Sequence, residues 1–184
     1  MATGGLRPAV FDESAPEAAD RDLVQSARDG NRAAFGALYE RFKPMVHGIL
    51  LSHVRHVDAE DLLHAVFVRA LQQLSYLRDA DAFGGWLASM ARNAAADFHR
   101  KRRNVVNLTE IAGHSVSTAE AHEALEAIRS LPEAYRETLM MRLVEGMTGP
   151  EIAARTNLTP ESVRVNLCRG MKMLRAKLNE KGIL

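Results

Sequence analysis

One segment constrains this 184-residue chain more than any other: FGGWLASMARNAAADFHRKRR, from Phe83 to Arg103. Leu87, Met90, Ala91, Ala94 and Phe98 recur at three- and four-residue steps, which puts them on one buried face of a helix. Asn93, Asp97 and Arg100 then share another face, where their side chains can donate and accept hydrogen bonds. Arg100, Lys101, Arg102 and Arg103 end the segment as a cationic cluster that attracts phosphate. This suits a helix laid against nucleic acid, although a solvated amphipathic helix with a basic C-terminus favoured by its own dipole has the same pattern. Trp86 falls within the apolar stripe, so core packing rather than base stacking is its expected role.

The same periodicity runs through the flanking sequence. Residues 1–20, with Gly4, Gly5, Pro8 and Pro16, have none of it and read as a mobile tail. From Arg21 a short helix is expected to close at Gly30, with Asn31 capping the next. Phe35, Leu38, Tyr39, Phe42, Val46, Ile49 and Leu50 keep one face apolar, and Pro44 should kink or divide that element. Asp58 is expected to cap a helix whose buried side is Leu62, Leu63, Val66, Phe67, Ala70, Leu71 and Leu74. A loop follows, from about Ser75 to Gly85.

After Arg103 the segment NVVNLTEIAGHSVS loses the repeat and reads as a linker. Ser117 to Glu120 has capping-box spacing, Leu131-Pro132 breaks the helix that follows, and another runs from about Glu133 to Glu145 before Gly146. Thr148 to Glu151 repeats the box, Asn157-Leu158 supplies a turn, and Thr159 with Pro160 opens the last helix. Val163, Leu167, Gly170, Leu174 and Leu178 form its packing side. Opposite them lie Arg164, Val165, Cys168, Arg169 and Lys172, which a helix-turn-helix would present to the DNA major groove. Helical hairpins in ordinary bundles share this spacing. Nothing alternates with period two for long enough to need a sheet, so the fold class is all-α.

Both blocks together resemble an alternative sigma factor of the extracytoplasmic-function group of the sigma-70 family. DAEDLLHAVFVRAL (Asp58 to Leu71) and FGGWLASMARNAAADFHR resemble sigma region 2; LPEAYRETLMMRLVEGMTGPEIAARTNLTPESVRVNLCRGMKMLRAKL resembles region 4. The resemblance implies four parts: a tail at 1–20, region 2 at 21–103, a flexible linker at 104–117 and region 4 at 118–184. It implies docking to core RNA polymerase, at the beta-prime coiled coil through Asp58, Asp61, His64 and Arg69, with the beta subunit a further contact. His64 stands where the family commonly has glutamine, so a docking bond there can depend on pH. The −10 element would be opened by capture of an unstacked base at Asn93, supported by Arg92, Asp97 and Arg100, with Lys101, Arg102 and Arg103 on phosphates. The −35 duplex would be read by Arg164, Val165, Cys168, Arg169 and Lys172. Cys168 is a small contact residue in this reading; oxidant sensing is the other role open to a thiol beside arginines. Asn166 replaces a commonly basic residue and Gly170 a usual alanine, so promoter preference does not carry over and the helix is slightly weakened. A separate anti-sigma factor is a further implied partner.

The formal charge of +1 gives no global cationic field, so any attraction to nucleic acid comes from local patches. One cysteine excludes an internal disulfide framework, and no apolar run reaches membrane-spanning length, which together suggest a cytoplasmic protein. Two other readings remain open at this level. His53, His56, Asp58, Glu60, Asp61 and His64 crowd together as metal-ligand types, but no matching cluster is evident on a second helix, so neither metal nor cofactor is expected. A helix-turn-helix regulator that never binds polymerase is the stronger rival.

Overall fold

The structure, a computed structural model, describes residues 15–105 and 119–180. Four helices form a first bundle: α1 (Ala15–Arg28), α2 (Arg32–His53), α3 (His56–Gln73) and α4 (Phe83–Val105). Four more form a second: α5 (Ala119–Arg129), α6 (Glu133–Leu143), α7 (Gly149–Thr156) and α8 (Pro160–Glu180). No strand occurs among the described residues, as the all-α reading requires.

The apolar stripes of the first bundle meet in one core. Leu38, Met45 and Ile49 of α2 pack with Leu63 and Phe67 of α3 and with Phe83, Leu87 and Ala91 of α4, all fully or nearly fully buried. Tyr39 lies against Phe67 at 4.6 Å, and Phe42 meets Phe83 edge to face at 5.0 Å. Trp86 is partly buried against the same core, 5.9 Å from Phe83. Asn31 caps α2 by accepting from the amides of Ala33 and Ala34.

Five local expectations need correction. α1 starts at Ala15 rather than Arg21, with Pro16 in the first turn, where a missing amide costs nothing, and with Asp20 paired to Arg41 of α2. Pro44 neither divides nor ends α2, which runs unbroken for 22 residues. The amide bond it forgoes would have gone to the carbonyl of exposed Glu40, where water can substitute, while buried Phe42, Met45 and Val46 hold the helix on both sides. α3 begins two residues before Asp58; Asp58 lies in its first turn and accepts from Arg55 at 3.0 Å. Leu71, expected on the buried side of α3, is 52% exposed, at the edge of the stripe. The stretch expected as a loop holds two single turns of 3-10 helix, Leu74–Tyr76 and Ala80–Ala82, before α4 starts at Phe83. The Ser117 cap and residues 106–117 of the expected linker lie outside the described residues.

In the second bundle Leu139, Ile152, Val163 and Leu174 are buried together. The Thr148–Glu151 capping box forms as spaced, and Thr148's amide and hydroxyl hold the Glu151 carboxyl below its usual range. Asn157 takes the left-handed conformation, φ 60°, that ends α7, and Thr159 accepts from the amide of Ser162 to start α8. Gly170 faces α6: a Cβ there would lie 3.0 Å from Leu139 Cδ1 and 3.2 Å from Tyr135 Cβ. Its helix-propensity cost is thus offset by a closer α6–α8 approach.

The two bundles are docked on one another. Five consecutive α6 residues, Glu137 to Met141, are buried, which one contact face cannot achieve; α6 packs on α2 with one side and on α8 with the other. Two glycines permit that closeness. A Cβ on Gly48 of α2 would lie 2.8 Å from Met141 Cγ, and one on Gly84 of α4 would lie 2.5 Å from the carbonyl oxygen of Arg155 at the end of α7. Backbone cannot yield as a flexible side chain can. Gly84→Ala is therefore expected to weaken docking by about 1–3 kcal/mol, seen as a larger radius in X-ray scattering with unchanged helical circular dichroism; an unchanged radius and unfolding midpoint would contradict the contact.

Candidate nucleic-acid interface

On α4, Asn93 is exposed while Leu87 and Ala91 point into the core, so the polar face opens outward as its spacing requires. An open cleft of about 760 Å³ lies over it, lined by His53, Arg92, Asn93, Ala96, His99 and Arg102 of the first bundle and by Glu133 of the second. Asp97 and Arg100 pair with each other at 2.9 Å, on the same helix. Lys101 and Arg102 are exposed, and the Arg103 side chain lies outside those described. The structure thus brings Arg92, Asn93 and Arg102 to one cleft and leaves Asp97 with Arg100 beside it.

Arg92 is not free to meet a ligand. It donates to both oxygens of Glu137 on α6, from Nε at 2.9 Å and from a terminal nitrogen at 2.8 Å. His53 completes the network. Arg136 donates to its Nδ1 at 2.9 Å, so Nε2 carries the proton and faces Glu137 at 3.2 Å. Burial is the largest influence on Glu137 and opposes its ionisation; the hydrogen bonds from His53 and Arg92 together outweigh it and hold the carboxyl below its usual range. The bond from Glu137 in turn raises Arg92. Nothing in the spacing of α4 or α6 announces this pair, because its partners lie 45 residues apart.

On α8, Arg164, Cys168, Arg169 and Lys172 are exposed and Val165 is half-buried, all on the side away from buried Val163, Gly170 and Leu174. Arg164 pairs with Glu161 at 2.6 Å, one turn earlier. On α3, Asp61, His64 and Arg69 are exposed and Asp58 is half-buried. Sequence reasoning missed what surrounds them: Val57, Val68 and Leu71 are each more than half exposed, and with Asp61 and His64 they form a stripe at three- and four-residue steps. Exposed valines and a leucine in line are the mark of a covered surface. The signal was present in the sequence, but a second apolar stripe on one helix reads as a wider core face.

The absence of ligand types on a second helix is also corrected. His47 of α2 joins His56 and Glu60, and His53 joins Glu133 and Glu137 of α6.

A helix-turn-helix docked on a helical module with its own polar, basic face defines a bipartite nucleic-acid-binding protein. Residues 38–105 match the family model of sigma-70 region 2, and residues 121–174 that of sigma-70 region 4. The RNA polymerase sigma factor CarQ of Myxococcus xanthus is 31% identical over 167 residues, covering 85% of this chain and 96% of CarQ. The ECF RNA polymerase sigma-E factor of Haemophilus influenzae is 26% identical over 185 residues, covering 89% and 97%. Among solved structures, that of CnrH in complex with the cytosolic domain of CnrY is similar with a TM-score of 0.61 and 26% identity, covering 88% of this chain and 98% of the matched one. The chain belongs to the sigma-70 family, in its extracytoplasmic-function group. Members are initiation subunits rather than enzymes, and they bind core RNA polymerase and promoter DNA. A regulator independent of polymerase would leave the region 2 match without a role. Among the described residues no helix is long and apolar enough to cross a membrane.

The Glu137 network makes docking acid-sensitive. Its folded pKa lies below the unfolded value, so the ionised carboxylate adds stability at every pH above the unfolded value of about 4.3. That contribution is lost as pH falls through the depressed folded value. Glu137→Gln is expected to cost about 1–3 kcal/mol at neutral pH, since Arg92 loses its counter-charge while keeping some solvent contact. It should also flatten the acid limb of stability measured by urea unfolding; a limb as steep as the wild type's would assign acid sensitivity elsewhere.

Proposed function

We propose that this sigma factor initiates transcription in the cytoplasm, with residues 21–103 acting as region 2 and 118–184 as region 4. The observation that carries the reading is the order of two unlike interfaces on one chain, the Asn93 cleft on α4 and the cationic face of α8. In this reading Asn93 captures an unstacked base of the −10 element, which offsets the few kcal/mol that unstacking costs. Arg92, Asp97 and Arg100 support the pocket, and Lys101, Arg102 and Arg103 neutralise phosphates. Arg164, Val165, Cys168, Arg169 and Lys172 read the −35 duplex from the major groove. Core polymerase docks through its beta-prime coiled coil on the outer face of α3, where Asp58, Asp61, His64 and Arg69 accompany the exposed Val57, Val68 and Leu71. The beta subunit makes a further contact.

The docked arrangement cannot serve DNA as it stands. Elements centred about 25 base pairs apart lie roughly 85 Å apart along B-form DNA, whereas a folded chain of this length has a radius of gyration of only about 16 Å. Moreover, Glu133 sets a carboxylate at the cleft, and Glu137 occupies Arg92. The modules therefore separate before both elements are engaged, and release of Arg92 belongs to that step. The solved CnrH is bound to the cytosolic domain of CnrY; a separate anti-sigma protein acting on the docked modules is the corresponding partner here.

Purified protein added to core RNA polymerase is expected to co-elute with it and to start transcripts on a cognate promoter; failure to associate would return the chain to the regulator class. Asn93→Ala should lower promoter opening, read by permanganate reactivity, far more than closed-complex affinity. Arg169→Ala should cost about 1–3 kcal/mol of duplex binding at the upstream element, and equal loss on unrelated DNA would make it a phosphate contact instead.

A further inference from the structure

Among the described residues, His47 is the one histidine with a buried ring nitrogen left without a hydrogen-bond partner. It sits on α2 with 9% exposure, and its Nδ1 lies 2.7 Å from Glu145 Oε1, just past the end of α6. A carboxylate accepts, so Nδ1 donates to Glu145, and in the neutral ring Nε2 keeps a lone pair free for a ligand. Nε2 is buried with no hydrogen-bond partner. It is aimed at His56 and Glu60, one turn apart on α3; Glu60 Oε1 lies 3.5 Å away, and the His56 ring stands perpendicular at 5.6 Å between centroids. In that form a buried lone pair faces a carboxylate, an arrangement that a cation between them relieves.

We propose that His47, His56 and Glu60 bind a divalent cation of the zinc type, with Glu145 orienting His47 from the other module. The ligand atoms already lie within 4.8 Å of one another. Zinc bonds of about 2.0–2.1 Å put tetrahedral ligand atoms about 3.3 Å apart, close to the His47–Glu60 separation. Bringing in His56 needs only rotation of an exposed side chain, and the half-exposed Glu60 leaves an entry path and a fourth position for water. Two imidazoles and one carboxylate favour zinc over the oxygen-seeking magnesium or calcium. The carboxylate behind His47 is the usual support of a metal-bound imidazole, fixing its tautomer and raising its basicity.

The second cluster, His53 with Glu133 and Glu137, does not qualify. Both nitrogens of His53 are engaged and Glu137 already holds the Arg92 guanidinium, so protein cations fill the place a metal would take.

Because Glu145 belongs to the second module and the three ligands to the first, occupancy and docking favour each other. Zinc titration of the chelator-stripped full-length chain, by calorimetry and by competition with a chromophoric chelator, is expected to show one ion per chain. His56→Ala and Glu60→Gln, both at the surface, should each weaken binding at least tenfold while helical circular dichroism is retained. Glu145→Gln should weaken it by about 10–100-fold without changing the stoichiometry, and magnesium should not compete. The proposal is overturned if the wild type takes up no zinc, or if His56→Ala and Glu60→Gln bind as the wild type does. Unaltered affinity in Glu145→Gln removes the link to the second module.

Discussion

Glu137 is a charge held inside a helix–helix contact, and a charge there persists only if cations follow it in. Arg92 arrives from α4 as a two-pronged donor and His53 from α2 as a single one, so three helices of two modules converge on one carboxylate. Close backbone approach makes this possible. Gly48 and Gly84 remove the two side chains that would hold α2 and α4 away from α6 and α7. Around that point Met140 and Met141 are buried in the one apolar core that runs through both bundles.

The same contact sets up a competition. Arg92 is proposed to support the base pocket on α4, yet its guanidinium is committed to α6 while the modules are docked. A bidentate arginine cannot serve a carboxylate and a nucleic acid at once, and the Glu133 carboxylate at the cleft repels phosphate. On the proposed role of Arg92, docking and promoter engagement are exclusive states of one chain. Glu145 and His47 add a second tie between the modules at the far end of α6, where a bound cation would bias the same equilibrium. The outer face of α3 is exposed in the docked arrangement, so the proposed polymerase contact there does not need the modules to part first.

Local chemistry was legible wherever neighbours in sequence decide it. Asn31, Thr148 with Glu151, and Thr159 with Pro160 mark helix starts because a cap acts within three residues. It failed where packing outweighs propensity. Pro44 passes through α2 because buried residues on both sides hold the helix together, and Leu71 faces outward because a stripe read at three- and four-residue steps does not say where a core ends. Gly170 read as a weakness and proves to be a contact.

The order of residues determined by itself the helical class, the two modules, the polar face of α4 and the cationic face of α8, since each follows from a period of 3.6 residues and from caps. Only the tertiary structure decided that the modules close on each other, that Arg92 and His53 belong to Glu137, and that His47 meets His56 and Glu60. Those pairings join side chains far apart in the chain, and which distant helices meet depends on how the faces fit, a property that no local period encodes.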